Sequence, residues 1–261
     1  MEESGDHGIL WTQFILAAAL ARSALAARDL DPAAEEVAFS FADTHAGCGC
    51  VPPPAGLGRV VDRRADFAAR TFHDAVAAPL AGCEGHPGSW VLAGRVLRQV
   101  GVAVEIDVND IDTAQIARAQ ANREGGWVRF WSHDWFRFLR SRVAMPRRPD
   151  FVFIDPPPDD PRGPGYAIDA AILLETLAIP YMITYPAQGA QSAIDQIGRL
   201  GLELVRDGHG PSGRGQGAVL GGGAETVVLD VLGDLGRLAP LLGGRFAPRL
   251  PRPPAADDYC I

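Results

Sequence analysis

The sequence has no lysine, so all 24 of its basic side chains are arginines. A guanidinium group is planar, always charged, and suited both to phosphate binding and to stacking on aromatic rings. The chain also lacks an excess of positive charge, since 32 acidic residues leave it with a net charge of −8. This acidity excludes a general electrostatic attraction to nucleic acid, so any such binding must depend on a local patch.

A long uncharged hydrophobic run is also missing. The most apolar stretch, residues 8–27, follows acidic residues where a signal peptide would be positively charged, and Thr12, Gln13 and Arg22 interrupt it. It is therefore predicted to be a buried amphipathic helix rather than a signal peptide or a membrane span. With 47% hydrophobic residues, the chain has enough apolar surface for a sizeable core, which excludes a disordered tail.

Cysteine is scarce, with four residues in 261. In a chain without a predicted export signal we expect reduced thiols and a cytoplasmic location, with disulfides the less favoured alternative. Cys48 and Cys50 form one close pair in the sequence, and Cys83 and His86 form another. These side chains could bind structural zinc, or they could pack as small apolar residues behind a glycine-rich loop. The second interpretation is favoured, and no metal is assigned.

Hydrophobic periodicity predicts alternating strands and helices. The predicted strands are 36–43, 103–110, 128–134, 150–155 and 181–185, and the predicted helices are 89–100, 112–123, 135–142, 166–177 and 188–200. Such alternation indicates an α/β fold, with a doubly wound, Rossmann-like parallel sheet covered by helices on both faces. Residues 1–261 are predicted to form a single domain.

Three segments depart from this alternation. Residues 50–86 begin with prolines and continue with a pattern rich in arginine and aspartate, which predicts a small helical insertion. Residues 202–207 and 225–231 are predicted to be strands, joined by a glycine-rich loop without a crossover helix, so we expect them to pair antiparallel. The proline-rich end, residues 245–261, is predicted to be an irregular tail.

Several predicted strands end in an acidic residue. Ligands of open α/β sheets bind at the carboxyl ends of the strands, so Asp110, Asp134 and Asp155 are candidate ligand contacts. Asp110 is placed to accept hydrogen bonds from the ribose hydroxyls of a nucleoside, and Asp134 to accept one from the amine of an adenine. Each of these two could instead cap the helix that follows, as we expect Asp112 to do.

The loops after the first and fourth of these strands carry further signals. Gly47 and its neighbouring glycine would let the backbone approach a ligand closely. Asp155 is followed by three prolines, which remove backbone donors and leave a carboxylate and carbonyls as acceptors. Asp155 and the Pro156 carbonyl would accept both hydrogens of an exocyclic amine and hold its lone pair toward an incoming methyl group. An ordinary proline-rich turn is an equally open alternative.

Four motifs together resemble one known family. They are Thr44-His45-Ala46-Gly47, Pro87-Gly88-Ser89 at a helix start, Asp155-Pro156-Pro157, and Tyr185-Pro186. In order and spacing they resemble the 23S ribosomal RNA adenine-N6 methyltransferase family, over about residues 5–231. The resemblance implies a class I methyltransferase fold, S-adenosylmethionine as cofactor, ribosomal RNA as partner, and methyl transfer to the N6 amine of an unpaired or flipped adenine. It implies neither a metal nor a membrane.

The resemblance also implies roles for individual residues. The implied contacts with S-adenosylmethionine are His45, Gly47, Ser89, Asp110 and Asp134. The implied catalytic residues that hold the target amine are Asp155 and Pro156, and the implied substrate contacts are Pro157 and Pro158. Pro158 stands where the family has an aromatic that stacks on the adenine, and Thr12 where a lysine is usual. Trp11, Trp135 or Tyr166 could supply the ring instead, at about 1–3 kcal/mol per stacked base.

Two other functions stay open. The chain could be a methyltransferase-like subunit without catalysis that binds a protein partner, or an N-methyltransferase acting on a protein amide or a small amine. Four arginines of the insertion, Arg59, Arg63, Arg64 and Arg70, could contact RNA phosphates. The aspartates among them favour a solvated helix face with salt bridges.

Overall fold

The computed structural model describes residues 7–30, 38–80, 85–124, 126–157, 160, 162–187, 195–206 and 215–251. Its helices are α1 (His7–Leu30), α2 (Leu57–Asp62), α3 (Thr71–Ala77), α4 (Ser89–Val100), α5 (Thr113–Ala121), α6 (Trp135–Val143), α7 (Gly163–Thr176) and α8 (Val228–Leu241). Its strands are β1 (Ala38–Asp43), β2 (Cys50–Val51), β3 (His86–Pro87), β4 (Ala103–Asn109), β5 (Trp127–Trp131), β6 (Phe151–Ile154), β7 (Tyr181–Pro186), β8 (Gly201–Val205), β9 (Gln216–Gly221) and β10 (Arg245–Arg249). The predicted alternation from α4 to β7 is confirmed; most of the predicted helix 188–200 lies outside the described residues.

Eight described strands form one sheet in the order β10-β8-β9-β7-β6-β1-β4-β5. The strands from β5 to β7 in this order are parallel to one another. β9 runs antiparallel to both β7 and β8, and β10 runs antiparallel to β8. This is the predicted Rossmann-like α/β fold with antiparallel strands at its C-terminal end. The order reverses between β1 and β6, so the loops after β1, β4, β5 and β6 lie around one switch point.

The first half of the N-terminal helix α1 is buried on all sides, whereas most residues after Ala21 are exposed or partly exposed. Every side chain from Leu10 to Ala21 is buried, and α1 packs against α3, α4, α8 and β9. The predicted buried helix is therefore confirmed, but its amphipathic character is wrong over residues 10–21, because a helix segment that is apolar on all its faces becomes a core element. Among the described residues α1 is long and apolar enough to cross a membrane, but 72% of its most apolar window is buried inside the protein.

The C-terminal strands differ from the prediction. The second antiparallel strand is β9, inside the glycine-rich segment, whereas residues 224–227 form a 3-10 turn that leads into α8. A Cβ on Gly217 would lie 2.3 Å from the Tyr185 ring, and one on Gly221 would lie 2.3 Å from the Tyr181 hydroxyl oxygen. Tyrosines of the neighbouring β7 thus fill the space that the glycines leave, and the strand forms despite its composition.

The predicted irregular tail is also wrong at its start. Residues 245–249 form β10, which pairs with the outer edge of β8 and becomes the edge strand of the sheet. Arg249 fixes this strand through ion pairs with Asp195, at 3.0 Å, and Glu203, at 3.6 Å. Residues 252–261 lie outside the described part of the chain.

The segment 50–86 carries α2, a 3-10 turn, α3 and the short pair of β2 with β3 among its described residues. Two of its arginines form the expected salt bridges, Arg63 with Asp66 at 3.3 Å and Arg64 with Asp74 at 2.6 Å. Both pairs are exposed, as the interpretation of a solvated face with salt bridges predicts for these two arginines.

The expectation of reduced thiols is wrong at Cys50. Cys50 is disulfide-bonded, whereas Cys48 is a free thiol whose Sγ lies 2.9 Å from the Cys50 carbonyl oxygen. His86 is buried, with Nε2 at 2.5 Å from Gln13 Oε1. Across the described residues no group of three or more potential ligands could hold a metal ion, and Cys83 lies outside them. The zinc interpretation therefore has no support in the described part of the chain.

Candidate functional site

The loop after β1 begins with a buried carboxylic acid. Asp43 is fully buried; its Oδ2 accepts a hydrogen bond from the Ser89 hydroxyl at 2.5 Å, and its Oδ1 accepts one from the His45 backbone N–H at 3.1 Å. Burial, assisted by the nearby Asp155 and Asp110 carboxyl groups, raises the pKa of Asp43 to about 7. Asp43 thus joins the β1 loop to the start of α4 at the point where other acidic side chains approach.

Gly47 and Gly49 of this loop have different surroundings. Both have positive φ, +55° at Gly47 and +77° at Gly49. A Cβ on Gly49 would lie 2.3 Å from the Trp90 ring, so packing explains that residue. A Cβ on Gly47 would meet nothing within 4 Å, so this backbone faces open space. Gly47 therefore has room for a ligand beside it, and Gly49 does not.

Two residues at the end of β4 fix the neighbouring loops. The Asp110 carboxylate accepts a hydrogen bond from the Gly47 N–H at 3.0 Å. The buried Asn109 amide donates to the carbonyls of Thr44 and His133, both at 3.1 Å, and accepts from the His133 N–H at 3.1 Å. The loops after β1, β4 and β5 are therefore held in a fixed relation, with the half-buried Asp110 between them.

His45 carries a buried nitrogen without a partner. Its Nδ1 lies 2.7 Å from Thr44 Oγ1, whereas its Nε2 is buried and has no hydrogen bond to any described residue. The imidazole ring packs against the Trp135 indole, with 5.2 Å between ring centroids. Burial lowers the pKa of His45 to about 4, so the ring is neutral at neutral pH. An unsatisfied buried polar atom costs about 1–3 kcal/mol, which indicates a place for a polar ligand atom.

Asp134 caps α6, as the alternative interpretation proposed. Its side chain accepts a hydrogen bond from the Arg137 N–H at 3.0 Å and lies 3.6 Å from the Arg162 guanidinium. Asp112 caps α5 in the predicted way, accepting from the Ala114 N–H at 2.8 Å. Asp134 remains half-buried beside His45, and a carboxylate with one capping bond keeps further lone pairs for a ligand.

Asp155 is exposed at the end of β6 and is oriented by β7. Its carboxylate accepts a hydrogen bond from the buried Thr184 hydroxyl. A cavity of about 190 Å³ lies beside it, lined by Asp155, Pro156, Pro157, Pro186, Gln216, Thr12, Ile9 and Gly8. The carboxylate thus faces a small cavity that is lined mainly by prolines and by residues of the N-terminal turn of α1.

The structure brings most of the predicted site residues to one edge of the sheet. Those that surround the loop after β1, by hydrogen bond or by electrostatic contact, are His45, Gly47, Ser89, Asp110, Asp134 and Asp155. Pro156 and Pro157 line the cavity, and Pro158 lies outside the described residues. Sequence reasoning did not assign roles to Asp43, Asn109 or Thr184. Thr184 could have been found in the sequence, because it is a polar residue within the otherwise largely apolar strand YMITYP.

One of the three candidate stacking rings is excluded. Trp11 is fully buried, and its Nε1 donates to the Leu202 carbonyl at 3.0 Å. Trp135 is 5% exposed and packs on His45, whereas Tyr166 is half-buried. Tyr166 is therefore the most accessible of the three.

No protein-family model matches this sequence, and no curated protein matches it. Among solved structures, protein LPL1258 from Legionella pneumophila str. Philadelphia 1, described under the family model DUF519, is similar with a TM-score of 0.71 and 13% identity, over 96% of this chain and 98% of that one. A Listeria monocytogenes protein described provisionally as a class I S-adenosylmethionine-dependent methyltransferase has a TM-score of 0.39 and 11% identity, over 84% of this chain and 70% of that one. The Legionella protein shares the fold of this chain, along nearly its whole length.

Proposed function

We propose that this protein transfers a methyl group from S-adenosylmethionine to the exocyclic N6 amine of an adenine in 23S ribosomal RNA. The observation that carries the proposal is the convergence of the loops after β1, β4, β5 and β6 at the switch point, with Asp155 exposed on a cavity there. Two of the four motifs that resemble the rRNA adenine-N6 methyltransferases, residues 44–47 and 155–157, lie in these loops. Ser89 of the third motif begins α4 and donates a hydrogen bond to Asp43, and the fourth motif ends β7. A parallel sheet with antiparallel strands at its C-terminal end is also the arrangement associated with class I methyltransferases.

The polar groups at this edge suit S-adenosylmethionine. The buried His45 Nε2 lacks a partner among the described residues, and Gly47 borders open space. The remaining groups are carboxylates, Asp110 and Asp134, which are pure acceptors suited to hydroxyl, amine and ammonium donors. The cofactor, when bound, supplies an electrophilic methyl group on a positively charged sulfur.

The residues near Asp155 would position the amine that receives the methyl group. Asp155 and the Pro156 carbonyl are acceptors for its two N–H groups, which directs the nitrogen lone pair away from them. The Thr184 hydroxyl holds the Asp155 carboxylate in one orientation. Because Asp155 is exposed, the proton released when the amine gains a methyl group can pass through this carboxylate to solvent.

A methyl-transfer assay tests the proposal. Purified protein is incubated with methyl-labelled S-adenosylmethionine and unmodified 23S ribosomal RNA, and methylated nucleosides are identified after digestion. We expect N6-methyladenosine from the wild type and a loss of about 10²–10³ in rate for Asp155→Asn, which weakens an acceptor in the transition state. Asp169→Asn, an exposed acidic residue of α7, is the matched control and should keep wild-type activity.

Two results would contradict this function. Binding of S-adenosylmethionine without any methylation of the RNA would point to a protein amide or a small amine as substrate. Absence of cofactor binding by calorimetry would favour a subunit without catalysis that binds a protein partner.

A further inference from the structure

A second concave surface lies beside the candidate site, between the starts of α6 and α7. This groove has a volume of about 410 Å³ and is lined by Asp134, Phe136, Arg137, Arg140, Ser141 and Tyr166. Asp134 lines this groove and also belongs to the candidate site at the carboxyl ends of the strands. Trp135 connects the two places as well, because its ring contacts His45 at 5.2 Å and Tyr166 at 5.8 Å.

Two aromatic side chains of the groove lining stack on each other, and the Arg162 guanidinium lies over one of them beside the groove. The Phe136 and Tyr166 rings are stacked, with centroids 4.9 Å apart and an interplanar angle of 12°. The Arg162 guanidinium lies over the Tyr166 ring, 5.4 Å from its centroid, and its side chain is 57% exposed. Asp134 and Asp160 hold this guanidinium at 3.6 and 3.4 Å. The result is an ordered planar surface that is open to solvent on Arg162.

The charge of this region is opposite to that of the whole chain. Residues 129–148 contain six arginines and one aspartate, Asp134, which gives 6 − 1 = +5 in a protein of net charge −8. Three of these arginines are paired with acidic residues outside this stretch, Arg129 and the buried Arg142 with Asp107, and Arg147 with Asp150. Arg137 and Arg140 are exposed, and neither forms an ion pair with any described residue. In this they differ from Arg63 and Arg64 of the insertion, which are paired with Asp66 and Asp74.

We infer that this groove binds an unpaired segment of RNA, with Arg137 and Arg140 contacting phosphates and a base stacking on the Arg162 surface. Single-stranded RNA is recognised through a basic groove combined with aromatic rings or guanidinium planes on which bases stack. Guanidinium groups bind phosphates well, but S-adenosylmethionine carries no phosphate. Binding of the cofactor therefore does not account for the two unpaired guanidinium groups. The inference rests on the proposed function for its choice of RNA, and it adds the place where the strand next to the target base would lie.

RNA binding without cofactor tests the inference. The probe is a fluorescein-labelled single-stranded RNA of twelve nucleotides, about the length that a single-strand groove covers, and its anisotropy is measured at several salt concentrations. The variants are Arg137→Gln/Arg140→Gln and the matched control Arg22→Gln/Arg118→Gln, which removes the same charge from exposed positions elsewhere. We expect the groove variant to bind about tenfold more weakly, with its salt slope reduced by about 1.4, and the control to bind as the wild type does.

Other outcomes overturn the inference. It is wrong if both double variants lose affinity equally, if the salt slope of the groove variant is unchanged, or if the wild type does not bind the RNA. Competition by polyglutamate at equal charge concentration would assign the groove to an acidic protein segment instead. The methyl-transfer assay separates the two proposals. If the groove variant binds RNA normally and still methylates it, the groove inference is wrong and the proposed function stands. If RNA binds through the groove but is not methylated, the groove inference stands and the proposed function is wrong.

Discussion

At the scale of single residues, Asp43 links the candidate site to the stability of the fold. It lies below the loop that carries His45 and Gly47, and its carboxyl group is fully buried between a hydroxyl and a backbone N–H. A buried carboxyl group without a cationic partner holds its proton more tightly than one in water. This makes its protonation a measurable property of the folded state.

The stability of the protein should therefore depend on Asp43 between about pH 4 and pH 7. The folded carboxyl group has a pKa of about 7 against an ordinary value of 3.8 for aspartate, so in this range the folded chain binds the extra proton. The stabilising contribution is fully present below pH 3.8 and is lost as the pH rises through 7. Each unit of pKa difference is worth about 1.4 kcal/mol, which gives a change on the order of 4 kcal/mol.

Urea denaturation of the wild type and of Asp43→Asn at half-unit steps of pH measures this effect. The asparagine keeps an acceptor for the His45 N–H and a group that can bond to Ser89, but it does not titrate. We expect the difference in free energy of unfolding to shift in favour of Asp43→Asn as the pH rises. Parallel pH profiles would show that Asp43 does not titrate in this range.

At the scale of elements, Asp234 joins α8 to the insertion. This residue is 1% exposed, and its carboxylate accepts hydrogen bonds from the backbone N–H groups of Ala68, at 3.0 and 3.1 Å, and Ala69, at 2.8 Å. Asp234→Ala leaves these donors without an acceptor, so we expect the free energy of unfolding to fall by about 2–4 kcal/mol. Denaturation measures it, with Asp230→Ala, an exposed acidic residue on the same helix, as control. Equal effects of the two substitutions would show that the hydrogen bonds of Asp234 to the insertion do not stabilise the fold.

The glycines of β9 allow a second test at this scale. Gly217→Ala places a Cβ 2.3 Å from the Tyr185 ring, and we expect overpacking to cost about 1–3 kcal/mol. Gly236→Ala in α8 is the matched control, since a Cβ there meets nothing within 4 Å and should stabilise the helix by about 0.5–1 kcal/mol. When Tyr185→Leu removes the ring, Gly217→Ala should lower the free energy of unfolding by less. Denaturation of the two glycine variants, of Tyr185→Leu and of the Tyr185→Leu/Gly217→Ala double variant measures this difference. A cost that persists there would place the strain in the backbone instead.

The same elements explain which parts of the fold were predictable. The region from α4 to β7 follows from hydrophobic periodicity, which is a local property of the sequence. β9 has no such signal, because its glycines become a strand only when the tyrosines of β7 cover them. α8 was missed because Gly233, Gly236 and Pro240 interrupt its helical pattern, and its packing and Asp234 compensate for that. The acidic residues of the site follow from the ends of the strands, whereas Thr184 depends on the register between β6 and β7, which the sequence does not show.

At the scale of the whole molecule, the candidate site is assembled from separate parts of the chain. Its polar residues come from the loops after β1, β4, β5 and β6 and from α4 and β7, and Asn109 and Asp110 hold three of these loops together. A ligand that contacts several loops binds the folded chain and not the unfolded chain, because the contacts exist only after the sheet has formed. Ligand binding must then raise the free energy of unfolding.

We therefore expect S-adenosylmethionine at one hundred times its dissociation constant to raise the free energy of unfolding by about 2.7 kcal/mol. For a chain of this size the melting temperature should rise by roughly 5–10 °C, which differential scanning fluorimetry measures. Asp110→Ala should abolish the rise, because it removes both an acceptor for the ligand and the bond to the Gly47 N–H. Asp112→Ala, which loses only the cap of α5, should lower the melting temperature of the free protein and keep the full rise. A rise that survives in Asp110→Ala would place the cofactor elsewhere, since no ligand held at this edge of the sheet would be indifferent to the residue that joins its loops.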